Sequence, residues 1–450
     1  MEIEARTMAR VTARLVPFLM LCYFVAYLDR VNVGFAALQM NSALGLSAST
    51  FGLGAGIFFI AYFFFEVPSN LLLEKFGARR WIARIMFTWG ILAGAMAFIP
   101  DIAKFTGMTP ASVFITLRVL LGVAEAGFFP GIIFLLTLWF PAKYRARVVG
   151  YFMAAIPLST VIGGPISGGL LQMDGVGGFA GWQWLYLIEA IPALILTFFV
   201  LGYLTDKPAD AKWLAADERE WLVARQQRER SQREAVRSYS VREALFNPRV
   251  LVIALIYFGA NATNYGLSFF LPTIVKGFGL TNVQTGFVTS LPYVVGVIGM
   301  VVWGRHSDRK LERKRHVAIA LVVAAAGIAA AAGLSNPVLK MTALSIAGFG
   351  IFGCLPVIWT LPAAFLSGAA AAGGIAAVNS LGNLSGFFGP YVMGWIKDST
   401  GSFSLGLLTL AAAGLVGAVA ALLLRHDSVL ETAQGSVQTE TADGGSVKAL

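Results

Sequence analysis

The sequence predicts an all-α integral membrane protein, with twelve transmembrane helices in two six-helix bundles. Three observations carry that prediction. Apolar residues make up 57% of the 450-residue chain and charged residues only 13%, too little charge to cover a soluble surface of this size. Apolar runs of about the twenty residues needed to cross a bilayer recur along the chain. One long polar stretch, 205–248, divides those runs into two equal sets.

The runs follow in order. Run 13–38 opens behind Arg6, Arg10 and Arg14 and holds Asp29 and Arg30; it is too long and too charged for a cleaved signal peptide. Run 50–71 ends in Glu66-Val-Pro-Ser-Asn70, and 82–100 follows a basic turn. Run 111–138 contains Arg118 and Glu125; runs 148–171 and 184–204 complete the first bundle, residues 1–204. The stretch 205–248 mixes acids and bases at helical spacing, which reads as a solvated amphipathic linker helix without a part in the chemistry. Run 249–275 places Tyr257, Asn261, Asn264 and Tyr265 at the i, i+4, i+7, i+8 spacing of one inward stripe, with Gly259 or Gly266 as a bend in a gate. Runs 284–303, 317–334, 341–364, 371–395 and 405–424 complete the second bundle, 249–424; the Ala- and Val-rich 317–334 is the weakest. Frequent glycine suits helices that approach closely in lipid. The polar tail 425–450 reads as cytoplasmic and disordered.

Charge sets the orientation. With the N-terminus inside, 28 of the 34 Lys and Arg residues fall in inside segments, four in outside loops, and two, Arg30 and Arg118, within spans. The net charge of +10 is therefore positive-inside bias rather than a nucleic-acid surface. Both termini are expected in the cytoplasm. Cys22 and Cys354 lie in apolar runs and imply no disulfide framework.

The halves echo each other. Asn70-Leu-Leu-Leu-Glu74-Lys75-Phe-Gly77-Ala-Arg79-Arg80 follows the second run, and Gly304-Arg-His-Ser-Asp308-Arg309 with Glu312 and Arg313 follows the eighth. Each sets an acid four residues on, then a base, then a basic cluster. Acid and bases could form an intracellular clasp that opens when the bundles rock. These loops resemble the cytoplasmic motif of the major facilitator superfamily, Gly-x-x-x-Asp-Arg/Lys-x-Gly-Arg/Lys-Arg/Lys. The first copy departs at Asn70 and Glu74, and the second lacks the later Gly. Several segments are similar to the superfamily's anion:cation symporter family: Tyr27-Leu-Asp29-Arg30-Val-Asn32, Glu66 to Asn70, Arg118 with Glu125, Trp139-Phe-Pro141, Trp359-Thr-Leu-Pro362, Asn379-Ser-Leu-Gly382-Asn383 and Gly389-Pro390. The resemblance covers about residues 12–425, and is greatest to bacterial permeases for tartrate, phthalate or hydroxyphenylacetate. It implies the major facilitator fold with internal inverted repeats, in a bacterial inner membrane.

Charges inside a span are costly, roughly 3 kcal/mol or more each, and mark function by default. Adjacent Asp29 and Arg30 point about 100° apart, and Arg118 and Glu125 lie about 10 Å apart along one face. Guanidiniums grip carboxylates in bidentate fashion and stay protonated. Arg30 and Arg118 are thus the expected anion binders, and Asp29 and Glu125 the carriers of coupling protons, a pattern the resemblance also implies. The competing reading is a structural ion pair between the first and fourth spans. Tyr27, Tyr62, Trp359, Asn379 and Asn383 are candidate substrate contacts; Glu66 and Glu189 read as structural. Glu74, Gly77, Arg79, Arg80, Gly304, Asp308, Arg309 and Arg313 are the candidate gating residues.

The expected function is import of a small organic carboxylate by proton symport with alternating access, by a monomer. The expectation includes no cofactor, metal or nucleic acid. No His or Cys cluster has metal spacing, and no glycine loop has the phosphate-binding form with Lys and Ser/Thr. A membrane enzyme therefore has no constellation to rest on. An anion exchanger or uniporter, and a transporter-like sensor, are the alternatives.

Overall fold

The computed structural model describes residues 2–234, 247–310, 312–361 and 368–424. The tail 425–450, linker residues 235–246 and Pro362 lie outside the described residues.

Among the described residues eleven helical segments are long and apolar enough to cross a membrane. The first two are α1 (Glu2–Leu44) and α2 (Ala48–Phe76). The third comprises α3 (Ala78–Ala95) and α4 (Ile99–Thr106), and the fourth α5 (Pro110–Glu125) and α6 (Phe128–Trp139). The fifth joins α7 (Ala142–Met153) to α8 (Ala155–Leu170), and α9 (Gly181–Tyr203) is the sixth. After the linker helix α10 (Ala216–Glu234) come α11 (Pro248–Lys276), α12 (Asn282–Lys310), α13 (Lys314–Gly333) and α14 (Pro337–Ile358), with α17 (Ser404–Leu423) last. The remaining run, 371–395, is covered by two shorter helices, α15 (Gly368–Asn383) and α16 (Ser385–Thr400). The weakest run of the sequence thus forms a full helix, α13. Helix starts follow local chemistry: Thr109, Asn247 and Asn336 each cap a helix whose first residue is proline.

The fourth segment is not continuous. Gly127 takes a positive φ of 87° between α5 and α6, and a Cβ there would lie 2.4 Å from Ser69 Oγ. Only glycine fits, and Glu125 becomes the last residue of a broken helix.

The two halves meet differently at the two ends of the bundle. At the end remote from the N-terminus they touch backbone to backbone. A Cβ on Gly52 would lie 2.4 Å from Pro390 O, one on Gly394 2.1 Å from Ala48 O, and one on Gly286 2.3 Å from Gly164 O. Asp398 of α16 closes the same end by accepting from Ala48 N at 3.1 Å and Ser49 N at 2.8 Å, at the start of α2. Nearer the N-terminal end the interface is polar: Glu66 of α2 meets Asn379 and Ser380 of α15.

The linker helix is not solvated all round, contrary to the sequence reading. Glu218 is completely buried, accepting from Arg6 Nε at 3.0 Å and Arg10 at 2.7 Å. Arg6 also pairs with Asp217, and Arg145 meets Glu229 at 3.2 Å. The arginines read as orientation signals thus also hold α10 against the start of α1.

Candidate functional site

A cavity lies where the halves meet. From α1 come Tyr23, Tyr27 and Arg30, from α2 Tyr62, from α11 Tyr257, Asn261, Asn264 and Tyr265, and from α15 Asn379 and Asn383. Phe129, Met153, Ile156 and Leu355 supply an apolar side. The helical stripe on α11 therefore faces inward as its spacing requires. Tyr23 is an added lining residue; it stands one turn before Tyr27, which is the signal that could have found it.

Arg30 is the sole cation lining the cavity among the described residues. Its guanidinium donates to Glu125 Oε2 at 2.9 Å and to Tyr265 Oη at 3.4 Å, and its buried Nε has no partner. The rings of Phe58, Tyr62 and Tyr27 stand 5.1, 5.6 and 5.9 Å from its centre, favourable distances for a cation. The ion pair between the first and fourth spans is therefore present, formed by Arg30 with Glu125. Glu125 is the last residue of α5, two positions before the break at Gly127.

Asp29 and Arg118 stand elsewhere. Asp29 is buried and outside the cavity lining; its Oδ2 accepts from Trp89 Nε1 at 2.6 Å, and Oδ1 has no partner. The two groups of the adjacent pair point to different surroundings, as helical geometry demands. Arg118 is also off the cavity. It donates to the backbone carbonyls of Gly54 and Ala55 at 3.2 and 3.1 Å. Both guanidiniums lie 5.1 Å from the Phe58 ring. The expected two-arginine grip is thus not formed in this conformation: Arg30 reaches the cavity and Arg118 does not.

The other candidates fall into place unevenly. Tyr27 Oη accepts from Asn264 at 3.0 Å, joining the halves across the cavity. Trp359 is outside the lining; its ring packs edge-on against Tyr257, centroids 4.9 Å apart. Glu66 sits beneath Asn379, away from the span end where the sequence suggested it. Glu189 is buried and accepts from Ser167 at 2.6 Å.

The two cytoplasmic motif copies differ. Asp308 pairs with Arg313 at 2.5 Å, and Arg313 also donates to Ser307 at 3.0 Å, closing the second copy within itself. Gly304 is half-buried at the end of α12, and Arg309 is exposed. In the first copy Glu74 and Arg80 are exposed, and Gly77 takes a φ of 88° to turn the chain. The acid that meets this turn is Asp206, which accepts from the Arg79 N–H at 2.7 Å. The acid at this turn thus comes from beyond the sixth segment rather than from Glu74.

The family model described as Major Facilitator Superfamily matches residues 19–390. A protein of Agrobacterium vitis named "Putative tartrate transporter" is 52% identical over 442 residues, 98% of this chain and 95% of its own length. A protein of Acinetobacter baumannii named "Quinolone resistance transporter" is 42% identical, covering 93% of this chain and 95% of itself. The partially occluded inward-open structure of the xylose transporter XylE from E. coli superposes with a TM-score of 0.70 over 91% of this chain and 97% of that one; at 13% identity it speaks to the fold alone.

Proposed function

The chain belongs to the major facilitator superfamily, and from that premise we propose that it imports a small organic carboxylate together with protons. The observation that carries the reading is Arg30, a lone lining cation set among tyrosines and asparagines. A carboxylate needs a guanidinium for its charge, and the amide and phenol groups around it suit hydroxyl or further carboxyl oxygens. The relative named for tartrate is consistent with that chemistry.

The coupling follows from competition for Arg30. An incoming anion displaces Glu125 from the guanidinium. The displaced carboxylate, held at the end of α5, takes up a proton. Asp29 is the second proton site: its unpartnered Oδ1 has no cation to balance it, and a proton removes that buried charge. Residues 1–204 and 249–424 are the two bundles that rock about the cavity. Opening towards the N-terminal end separates Glu66 from Asn379 and Ser380; opening towards the other separates Asp398 from α2. The charge bias supports cytoplasmic termini in a bacterial inner membrane, and one chain holds the whole path as a monomer.

The test is uptake into proteoliposomes under an inward proton gradient, with a panel of organic acids. Gradient-driven accumulation that Glu125→Gln abolishes while exchange survives is the expected result. Equal uptake with and without the gradient would favour an exchanger or uniporter. The relative named for quinolone resistance favours a second reading, outward movement of a bulkier aromatic acid; loss of such an acid from preloaded vesicles when the inward proton gradient is applied, with no uptake of aliphatic acids, would select it.

A further inference from the structure

A side chain outside the cavity directs three that line it. Glu66 is buried in α2, and its carboxylate accepts from Asn379 Nδ2 at 2.8 Å and from Ser380 Oγ at 3.0 Å. Asn379 Oδ1 accepts from Asn383 Nδ2 at 3.2 Å, and Asn383 Oδ1 accepts from Asn261 Nδ2 at 3.2 Å. Every link among the three amides runs the same way, N–H to oxygen, and the ladder ends on Glu66.

The direction has a chemical cause. An ionised carboxylate can only accept, whereas an asparagine side chain both donates and accepts. Asn379 must therefore turn its NH2 group to Glu66 and its carbonyl to Asn383. Asn383 must do the same towards Asn261. One obligate acceptor at the end of the row fixes the orientation of every amide in it. Asn261, Asn379 and Asn383 line the cavity and Glu66 does not. What Asn379 and Asn383 leave for a ligand is the second N–H of each amide and a second lone pair on each carbonyl, and Asn261, which also bonds Tyr257, adds its carbonyl. A hydroxyl, which donates and accepts at once, matches such a wall; a methylene does not.

We propose that Glu66 is a positioning residue that sets the hydrogen-bonding polarity of this wall, and through it a preference for substrates with hydroxyl groups beside the carboxylate. This rests on the organic-anion reading above. It gives Glu66 a part that its place near the end of the second run did not suggest.

Two four-carbon dicarboxylates test it: tartrate, with two hydroxyls, and succinate, with none. Their dissociation constants are measured by calorimetry on the full-length purified chain. Wild type is expected to favour tartrate by about tenfold or more, the worth of one or more hydrogen bonds. Glu66→Gln can run the ladder either way, so that preference should fall by about tenfold while succinate affinity stays within about threefold. The exchange Glu66→Gln with Asn379→Asp puts an obligate acceptor one rung along, so Asn383 and Asn261 regain their direction and the preference should return. Melting temperatures identify any variant that has failed to fold, and the exchange keeps the test open if the single variant does.

An unchanged preference in Glu66→Gln overturns the inference. So does an equal loss for both acids that the exchange does not repair, since that marks a merely structural carboxylate. Wild type binding both acids equally sinks the inference alone. Wild type binding neither sinks the small aliphatic carboxylate as the substrate and the inference with it.

Discussion

Glu125 and an incoming carboxylate cannot both hold the same N–H groups of Arg30, so removing the acid should strengthen anion binding. Glu125 accepts from Arg30 at 2.9 Å with both side chains buried. A charge-assisted hydrogen bond of this kind is worth about 1.5–3 kcal/mol, and a neutral amide in its place recovers about 1 kcal/mol. Glu125→Gln should therefore return about 0.5–2 kcal/mol to the ligand, a fall in dissociation constant of about 2- to 30-fold at a pH where Glu125 is ionised. Wild type should bind more tightly as pH falls, because a protonated Glu125 no longer competes, and the variant should lose that dependence. The ligand-free variant leaves the Arg30 charge without its partner, at a cost of up to about 3–5 kcal/mol. Its melting temperature should drop and recover on adding the ligand. Calorimetry across a pH series is the assay. A variant that binds no more tightly than wild type at high pH, or keeps the wild-type pH slope, would refute the competition and leave the ion pair purely structural.

Other outcomes follow from the same geometry. Arg118→Lys keeps the charge but loses the fork that bridges the Gly54 and Ala55 carbonyls; it should lower the melting temperature while raising the dissociation constant for the anion less than Arg30→Lys does. Gly394→Ala places a Cβ where Ala48 O stands 2.1 Å away, an overpacking cost of about 1–3 kcal/mol. It should bias the remote end open, read as faster maleimide labelling of a single cysteine introduced in the cavity; Cys22 and Cys354 are both buried and stay silent. Unchanged labelling would show that the close packing is not the closure. Burial alone would raise the Glu312 carboxyl, but the N–H groups of Arg315 and His316 and the His316 ring outweigh it and hold it below the ordinary carboxylate value. Its folded value is depressed, so its contribution to the loop is full above the unfolded pKa of about 4.3 and is lost as pH falls through the folded value. Hydrogen exchange at the Arg315 and His316 amides should accelerate over that window, and Glu312→Gln should flatten the response.

The spans were legible because lipid imposes length and hydrophobicity one helix at a time. The α11 stripe was legible for the same local reason: four polar positions on one face identify the inward side without knowledge of any neighbour. The destination of a charge was not. Helical spacing separates Asp29 from Arg30, but nothing local says that Trp89 waits for one and Glu125 for the other. The break at Gly127 was written in the sequence as a glycine three residues before Pro130, yet a span containing both reads equally well as one bent helix. Arg118 was misplaced because depth along an axis does not reveal which face of α5 is turned to α2. Glu66 depends on a contact 313 residues away, beyond any periodicity argument. Glu218 went unread because a buried carboxylate in a run of alternating charges looks like its solvated neighbours until α1 is laid against it.

The two ends of the interface also differ in what closure demands of the side chains. At the remote end the meeting surfaces are largely peptide backbone at Gly52, Gly164, Gly286 and Gly394, and glycine has no rotamers to freeze. Closing that end asks few side chains to settle, Asp398 and Ser290 among them, and the rest is dispersion and shape. At the other end Glu66, Asn379, Ser380 and Asn383 must each settle into one rotamer before their hydrogen bonds form. Warming should therefore loosen the polar gate before the backbone seam, so that temperature alone shifts the working cycle towards the face that carries the N-terminus.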